Sequence, residues 1–235
     1  FTRMSTHAME RKFDDLKADL SDGLRTIAMI SVLASAGLIV LAYPISRVFV
    51  GEIPSTIALG NVVIAMVVGL LPFSYVFMIQ RAFYSLEDTR TPFLFTVVQT
   101  VLNIIGSIMV AIYAEHVWIV VCLSLVTSGS IMVQAVLAFV MFKRKFGSLG
   151  HSHLTLATGK FILAAVVAGL IGFSMLQLMG GARPGAFPVL NIISATTTCA
   201  IIGGTMTLIY LTILRLLKVP EIEVLTKPIQ RLFKR

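Results

Sequence analysis

The chain has 235 residues, of which 57% are hydrophobic and 13% charged, with a mean hydropathy of +0.94. Water-soluble domains carry about 25% charged residues, so the composition excludes an ordinary soluble domain and indicates a polytopic membrane protein. The formal net charge of +8 invites a nucleic-acid reading, but the cations are gathered between apolar runs, which excludes nucleic acid as a partner.

Six runs are long and apolar enough to cross a bilayer as helices: about 24–43, 56–80, 93–113, 117–142, 160–179 and 188–214. Their centres hold no Asp, Glu, Lys, Arg or His. The expected fold class is therefore all-α, a six-span transmembrane bundle. Alternating the connections between two sides places seventeen Lys and Arg on one side and only Arg47 and Arg183 on the other. The positive-inside bias makes the basic side cytoplasmic, with both ends of the chain there. Five regions follow: 1–22, an amphipathic interfacial segment; 23–145, four spans; 146–158, a cytoplasmic loop; 159–214, two further spans; and 215–235, a basic tail. The chain starts at Phe1 with neither Met nor a signal pattern, so it reads as a piece of a longer protein.

In residues 1–22, Met9, Phe13, Leu16 and Leu20 share one helical face. The segment either lies on the membrane surface or is a charged linker packed on the bundle. Ser21 and Asp22 are candidate N-caps for span one, which should end at Tyr43-Pro44. Residues 44–55 are apolar enough to lie in the outer interface. Span two runs past Gly69 and Pro72, and the proline predicts a kink, either a static bend or a hinge.

Between spans two and three, the elbow 81–92 carries Arg81, Glu87, Asp88 and Arg90, with Thr91-Pro92 as a candidate helix start. These residues either terminate two helices and anchor them at the headgroups or form a cytoplasmic gate of ion pairs. Span three carries a polar stripe, Thr96, Gln99, Thr100, Asn103 and Ser107, with Gly106 beside it. Amides in hydrocarbon need partners, so the stripe meets either another helix or a wet cavity. Tyr113 and Trp118 mark the outer interface, and His116 reads as an interface residue. Span four has its own stripe of Ser124, Thr127, Ser128 and Gln134.

His151-Ser-His153 lacks a third metal ligand nearby. Span five is rich in small residues, Ala164, Ala165, Ala168, Gly169 and Gly172, suited to close helix contact. Span six contains Asn191, three threonines from Thr196 and the packing pair Gly203-Gly204. The basic tail carries Leu225, Ile229, Leu232 and Phe233, an arrangement that suits an anionic lipid surface. Cys122 and Cys199 fall inside apolar runs without His or Cys neighbours, so neither a disulfide nor a metal site is expected. No nucleophile–His–carboxylate set, phosphate-cradling loop or carboxylate pair is found, so no enzyme is expected.

The elbow Arg81-Ala-Phe-Tyr-Ser-Leu-Glu-Asp-Thr-Arg-Thr-Pro92, preceded by Gly69-Leu-Leu-Pro72, resembles the signature of the MurJ/MviN lipid II flippases, in the multidrug/oligosaccharidyl-lipid/polysaccharide exporter superfamily. Phe1-Thr-Arg-Met-Ser5 is similar to the Phe-Pro-x-x-Ser end of that family's eighth helix, with Thr2 in place of Pro. The resemblance implies that the six spans correspond to helices nine to fourteen. Spans one to four would then complete a second lobe, and the last two would form a groove for an undecaprenyl tail, at Ala165, Gly169 and Gly172. It implies movement of lipid II from the inner to the outer leaflet of the bacterial plasma membrane by alternating access. The gate would be Arg81, Glu87, Asp88, Arg90 and Pro92, and the hinge Gly69 and Pro72. The cavity stripe would be Thr96, Gln99, Thr100, Asn103 and Ser107. No cofactor is implied. Some members bind sodium in the second lobe, and Asn103 stands where one ligand would lie, but no carboxylate neighbours it; the membrane potential is the other candidate energy source. Implied partners are lipid II, membrane lipids, the N-terminal lobe of the same protein and a C-terminal cytoplasmic domain or cell-wall synthesis partners. Other readings are a polysaccharide-lipid flippase or drug/ion antiporter of the same superfamily, and a non-transporting membrane scaffold for cell-wall synthesis.

Overall fold

A computed structural model describes residues 13–147, 151–183 and 185–222, without the side chains of 151–153. Among these, every regular element is helical: α1 (Phe13–Val40), α2 (Ala42–Phe49), α3 (Ile53–Val67), α4 (Leu70–Ser85), α5 (Arg90–Tyr113), α6 (Ile119–Phe146), α7 (His151–Leu178), α8 (Phe187–Leu190) and α9 (Ile192–Leu216). Five of them, α1, α5, α6, α7 and α9, are long and apolar enough to cross a membrane alone, and α3 with α4 makes a sixth span if the broken pair counts as one.

Proline sets several boundaries. It has no N–H to bond the carbonyl four residues earlier, and its ring presses on that carbonyl. Pro44 so affects Val40, the last residue of α1; Pro72 affects Val68, in the gap before α4; and Pro92 affects Asp88, in the elbow. The kink expected at Pro72 therefore falls one turn upstream, at residues 68–69, and the ladder resumes with Phe73 N–H donating to the Gly69 carbonyl at 2.9 Å. Span one likewise ends before Tyr43-Pro44, and these residues lie in the first turn of the short helix α2.

Other boundaries also differ from the sequence reading. Helix α1 runs without interruption through Ser21 and Asp22, so neither is an N-cap. Of the apolar stripe, Leu16 and Leu20 are fully buried against apolar partners in the protein, while Phe13 is exposed. Residues 151–158, expected in the loop, are the first turns of α7. Residues 1–5, Met9, the side chains of His151 and His153, and the tail from 223 onward lie outside the described residues.

The described residues fold into two compact units: those up to 31 with 68–158, and 32–67 with those from 159 on. The first unit is centred on Leu16, Leu20 and Leu24 of α1, Ile79 and Phe83 of α4, Phe95 of α5, Ala138 and Phe142 of α6, and Leu154 of α7. In the second, α9 buries Thr198, Ile202, Met206, Tyr210 and Leu214, spaced by four residues along one face. Gly172 lets α7 approach that face; a Cβ there would meet Met206 Sδ at 2.5 Å. Helix α2 packs on α3, α8 and α9. Tyr43 donates its hydroxyl to Asn61 Oδ1 at 3.0 Å, and the ring covers Gly60. Arg47 donates to the carbonyls of Val50, Gly51 and Leu190, tying the end of α2 to α8.

Two glycines should respond oppositely to alanine. A Cβ on Gly60 would run into the Tyr43 ring, whose hydroxyl is held by Asn61. Gly60→Ala is expected to destabilise by about 1–3 kcal/mol. A Cβ on Gly37 meets nothing within 4 Å, so Gly37→Ala should stabilise α1 by up to about 1 kcal/mol. Thermal unfolding of the two variants in detergent micelles reads both signs.

Candidate functional site

The elbow is a helix stop followed at once by a helix start. Asp88 N–H donates to the Phe83 carbonyl and Glu87 N–H to the Tyr84 carbonyl, each at 3.1 Å. This is the Schellman pattern, and it requires the left-handed conformation that Glu87 adopts, with φ +57°. The turn aims the Asp88 carboxylate at the first turn of α5. Its Oδ1 accepts from the Thr91 N–H at 3.1 Å, and its Oδ2 accepts from the Thr91 hydroxyl at 2.6 Å. Lys145 Nζ, from the last turn of α6, donates to the same Oδ2 at 2.7 Å. Burial pushes the Asp88 carboxyl up, but the hydrogen bonds from Lys145 and Thr91, with the lysine's charge, outweigh it and hold the pKa down at about 2, against an ordinary 3.8.

Helix α5 begins at Arg90, so Asp88 caps it and Pro92 is its third residue, in place of the Thr91-Pro92 start expected from sequence. Pro92 is buried. Arg81 lies over the Phe77 ring, 4.3 Å from its centroid. Arg81, Glu87 and Arg90 are exposed, and among the described residues none of them makes an ion pair. Beneath the elbow, the Phe83 ring lies 5.7 Å from Phe142 and 5.9 Å from Phe146, and Phe13 of α1 lies 6.0 Å from Phe146.

The polar stripe of α5 meets α6. Gln134 Nε2 donates to Thr96 Oγ1 at 3.1 Å, Gln99 Nε2 to Ser130 Oγ at 3.3 Å, and Asn103 Nδ2 to Thr127 Oγ1 at 3.1 Å and Ser130 Oγ at 3.3 Å. The Thr127 and Ser130 hydroxyls donate in turn to the carbonyls of Leu123 and Thr127. Among the described residues, no carboxylate joins the set. Thr100 donates to the Thr96 carbonyl within its own helix at 2.9 Å, and Ser107 is half-buried. A Cβ on Gly106 would meet Val126 Cγ1 at 2.5 Å. At the break, a Cβ on Gly69 would stand 3.0 Å from the Ser128 backbone, tight enough that one of the two helices would have to give by a few tenths of an ångström.

The small residues of α7 divide between two faces. Ala165 and Gly169 line an apolar groove of about 340 Å³, whose other wall is Val32, Ala36, Ile39 and Val40 of α1, while Gly172 packs on α9. Ile162, Val166, Leu170 and Phe173 line it as well.

Sequence reasoning misses Lys145 as the partner of Asp88, because 57 residues separate them and only the α4–α5–α6 packing brings them together. It also misses Ser130, which accepts from two amides. A signal that the sequence does carry lies at Asn191: the residue three ahead is Ser194, and the two form a reciprocal capping box that starts α9.

The sequence profile of the family described as lipid II flippase MurJ matches residues 1–190. The chain belongs to this family. Among the proteins similar to it is a probable lipid II flippase MurJ of Vibrio cholerae serotype O1, strain El Tor Inaba N16961. It is 28% identical over 173 residues, covering 70% of this chain and 31% of that protein. A solved MurJ structure, a lipid II flippase in an inward closed conformation, superposes with a TM-score of 0.63 at 20% identity, over 86% of this chain and 41% of that one. That likeness establishes the fold. The chain thus spans less than half the length of the MurJ proteins it matches. It is a multi-pass bacterial inner-membrane protein of a transporter family, not of an enzyme family.

Asp88→Ala removes the α5 cap and should cost about 1 kcal/mol, whereas Lys145→Ala, at a half-exposed ammonium, should cost less than about 1 kcal/mol. Because the folded-state pKa lies below the ordinary one, the carboxylate's contribution is intact above 3.8 and is lost as pH falls from there through about 2. Acid unfolding that shows this loss in the natural sequence and not in Asp88→Ala checks the assignment.

Proposed function

We propose that the protein carrying this chain moves lipid II from the inner to the outer leaflet by alternating access, and that the chain supplies its tail groove, its cytoplasmic gate and one hinge. The observation that carries this reading is the groove of α1 and α7, about 340 Å³ and lined by ten apolar residues. That volume is at the small end of the roughly 300–1,000 Å³ range of small-molecule sites, so it would hold part of a long polyprenyl chain while the remainder stays in lipid. The headgroup would be held elsewhere in the protein, since a pyrophosphate needs cations and these span centres have none.

The gate is the elbow. Its Asp88–Lys145 pair is half-exposed on the lysine side, and pairs of that kind are worth about 0–1 kcal/mol, little enough to open and close during a cycle. The pair also brings the elbow and the basic end of α6 to one level, which supports their assignment to the same, cytoplasmic side. The hinge is residues 68–69, where Pro72 has already removed a rung of the hydrogen-bond ladder and Gly69 resists bending least.

In cells depleted of their own lipid II flippase, the intact protein should restore growth and relieve lipid II accumulation. Gly169→Phe, filling the groove, should lower transport by about tenfold or more at unchanged membrane level; normal transport by that variant would remove the groove from the mechanism. Residues 1–235 reconstituted alone should flip no lipid II in a vesicle assay.

A further inference from the structure

Two hydroxyl pairs fasten α4 just beyond the break in span two. Ser74 Oγ lies 2.8 Å from Ser31 Oγ of α1, both residues being buried. Tyr75 Oη lies 2.9 Å from Thr158 Oγ1 of α7. A third contact of the same segment is the approach of Gly69 to the Ser128 backbone of α6. Ser74 and Tyr75 therefore tie α4 to two different helices through hydroxyls rather than bulk, while Gly69, in the break itself, lies close to a third.

We propose that Ser74 and Tyr75 are positioning residues that hold α4 to α1 and α7 throughout the transport cycle, so that bending is confined to residues 68–69. The proposal rests on the hinge reading given above. A break alone lets strain spread into the flanking turns, because a helix freed of its rung is soft on both sides. The buried Ser31–Ser74 pair has little water to exchange with, and the half-buried Tyr75–Thr158 pair adds a second tie, so together they resist separation on the α4 side. Sliding α4 along α1 by one turn would part Ser74 from Ser31 and Tyr75 from Thr158 together. The side chains suit a fixed contact: Ser74 also donates to the Leu70 carbonyl at 2.9 Å, Thr158 to the Leu154 carbonyl at 2.8 Å, and the Tyr75 ring stands edge-on to Phe139 at 5.6 Å. Ser74 and Thr158 are thus oriented by their own helices, and Tyr75 by a ring.

The test uses spin labels on the intact protein in lipid vesicles, with lipid II present or absent. One pair, on Leu156→Cys and Tyr84→Cys, reads α7 against α4, the helices that Tyr75 and Thr158 join; a second, on Ile57→Cys and Tyr84→Cys, reads across the break. The expected result is one narrow distance for the first pair in both conditions and two populations for the second. Tyr75→Phe keeps the ring contact and loses only the hydroxyl, and Thr158→Val loses the other hydroxyl of that pair. Both should broaden the first distribution, and Thr158→Ser should restore it. Two populations for both pairs in the natural sequence would overturn the proposal while leaving the hinge. A single population for the second pair would overturn the hinge and the proposal with it. Unchanged first-pair distances in Tyr75→Phe and Thr158→Val would also overturn it.

Discussion

Inside a bilayer, no water is available to a backbone carbonyl whose helical partner is missing. A single absent N–H can therefore decide where a helix stops, and this chain uses proline to do so. Val40, Val68 and Asp88 each stand four residues before a proline, and each marks an end or a gap in the helical ladder. Pro54 and Pro188 use the opposite property: near the start of α3 and α8 the missing donor would have had no partner anyway. The short α2 and the interrupted span follow from where these rings fall, whereas the elbow also needs the left-handed Glu87 and the Asp88 cap.

The same scarcity of water governs the neutral side chains. Glutamines and an asparagine in α5 and α6 would be costly alone in hydrocarbon, and each instead donates to a hydroxyl across the helix pair. Individual contacts of this kind average about 0.6 kcal/mol in membrane proteins, so the column contributes alignment more than strength. Helix α5 otherwise turns Ile104, Ile105, Ile108 and Ile112 outward. The polar column fixes which way that apolar face points, because turning α5 would strip the amides of their partners.

Much of this architecture is legible in the sequence. Run length, absence of charge and the cation split give the spans, since each is a property of composition over some twenty residues. The ends of elements are less legible. Pro72 announces a break, but the displacement to residues 68–69 depends on which carbonyl loses its donor. Ser21 and Asp22 have the chemistry of caps, yet α1 passes through them because Leu16, Leu20 and Leu24 are buried on one continuous face. Contacts far apart in sequence, such as Lys145 with Asp88 or Tyr75 with Thr158, need the packing. The small residues of α7 read as one stripe; the structure separates Ala165 and Gly169 from Gly172 by giving each face a different neighbour.

The groove of α1 and α7 has a rim of Ile39, Val166, Leu170 and Phe173, each about half or more exposed. A hydrophobic chain already dissolved in the membrane reaches such a slot by sideways diffusion in two dimensions, without entering the aqueous phase. Occupancy is then governed by mole fraction among the surrounding lipids rather than by molarity. Every acyl tail nearby competes on the same terms, so discrimination has to come from length and branching or from the polar end of the guest. A shallow, featureless slot would exchange such guests readily, because nothing in its lining grips one apolar chain more than another.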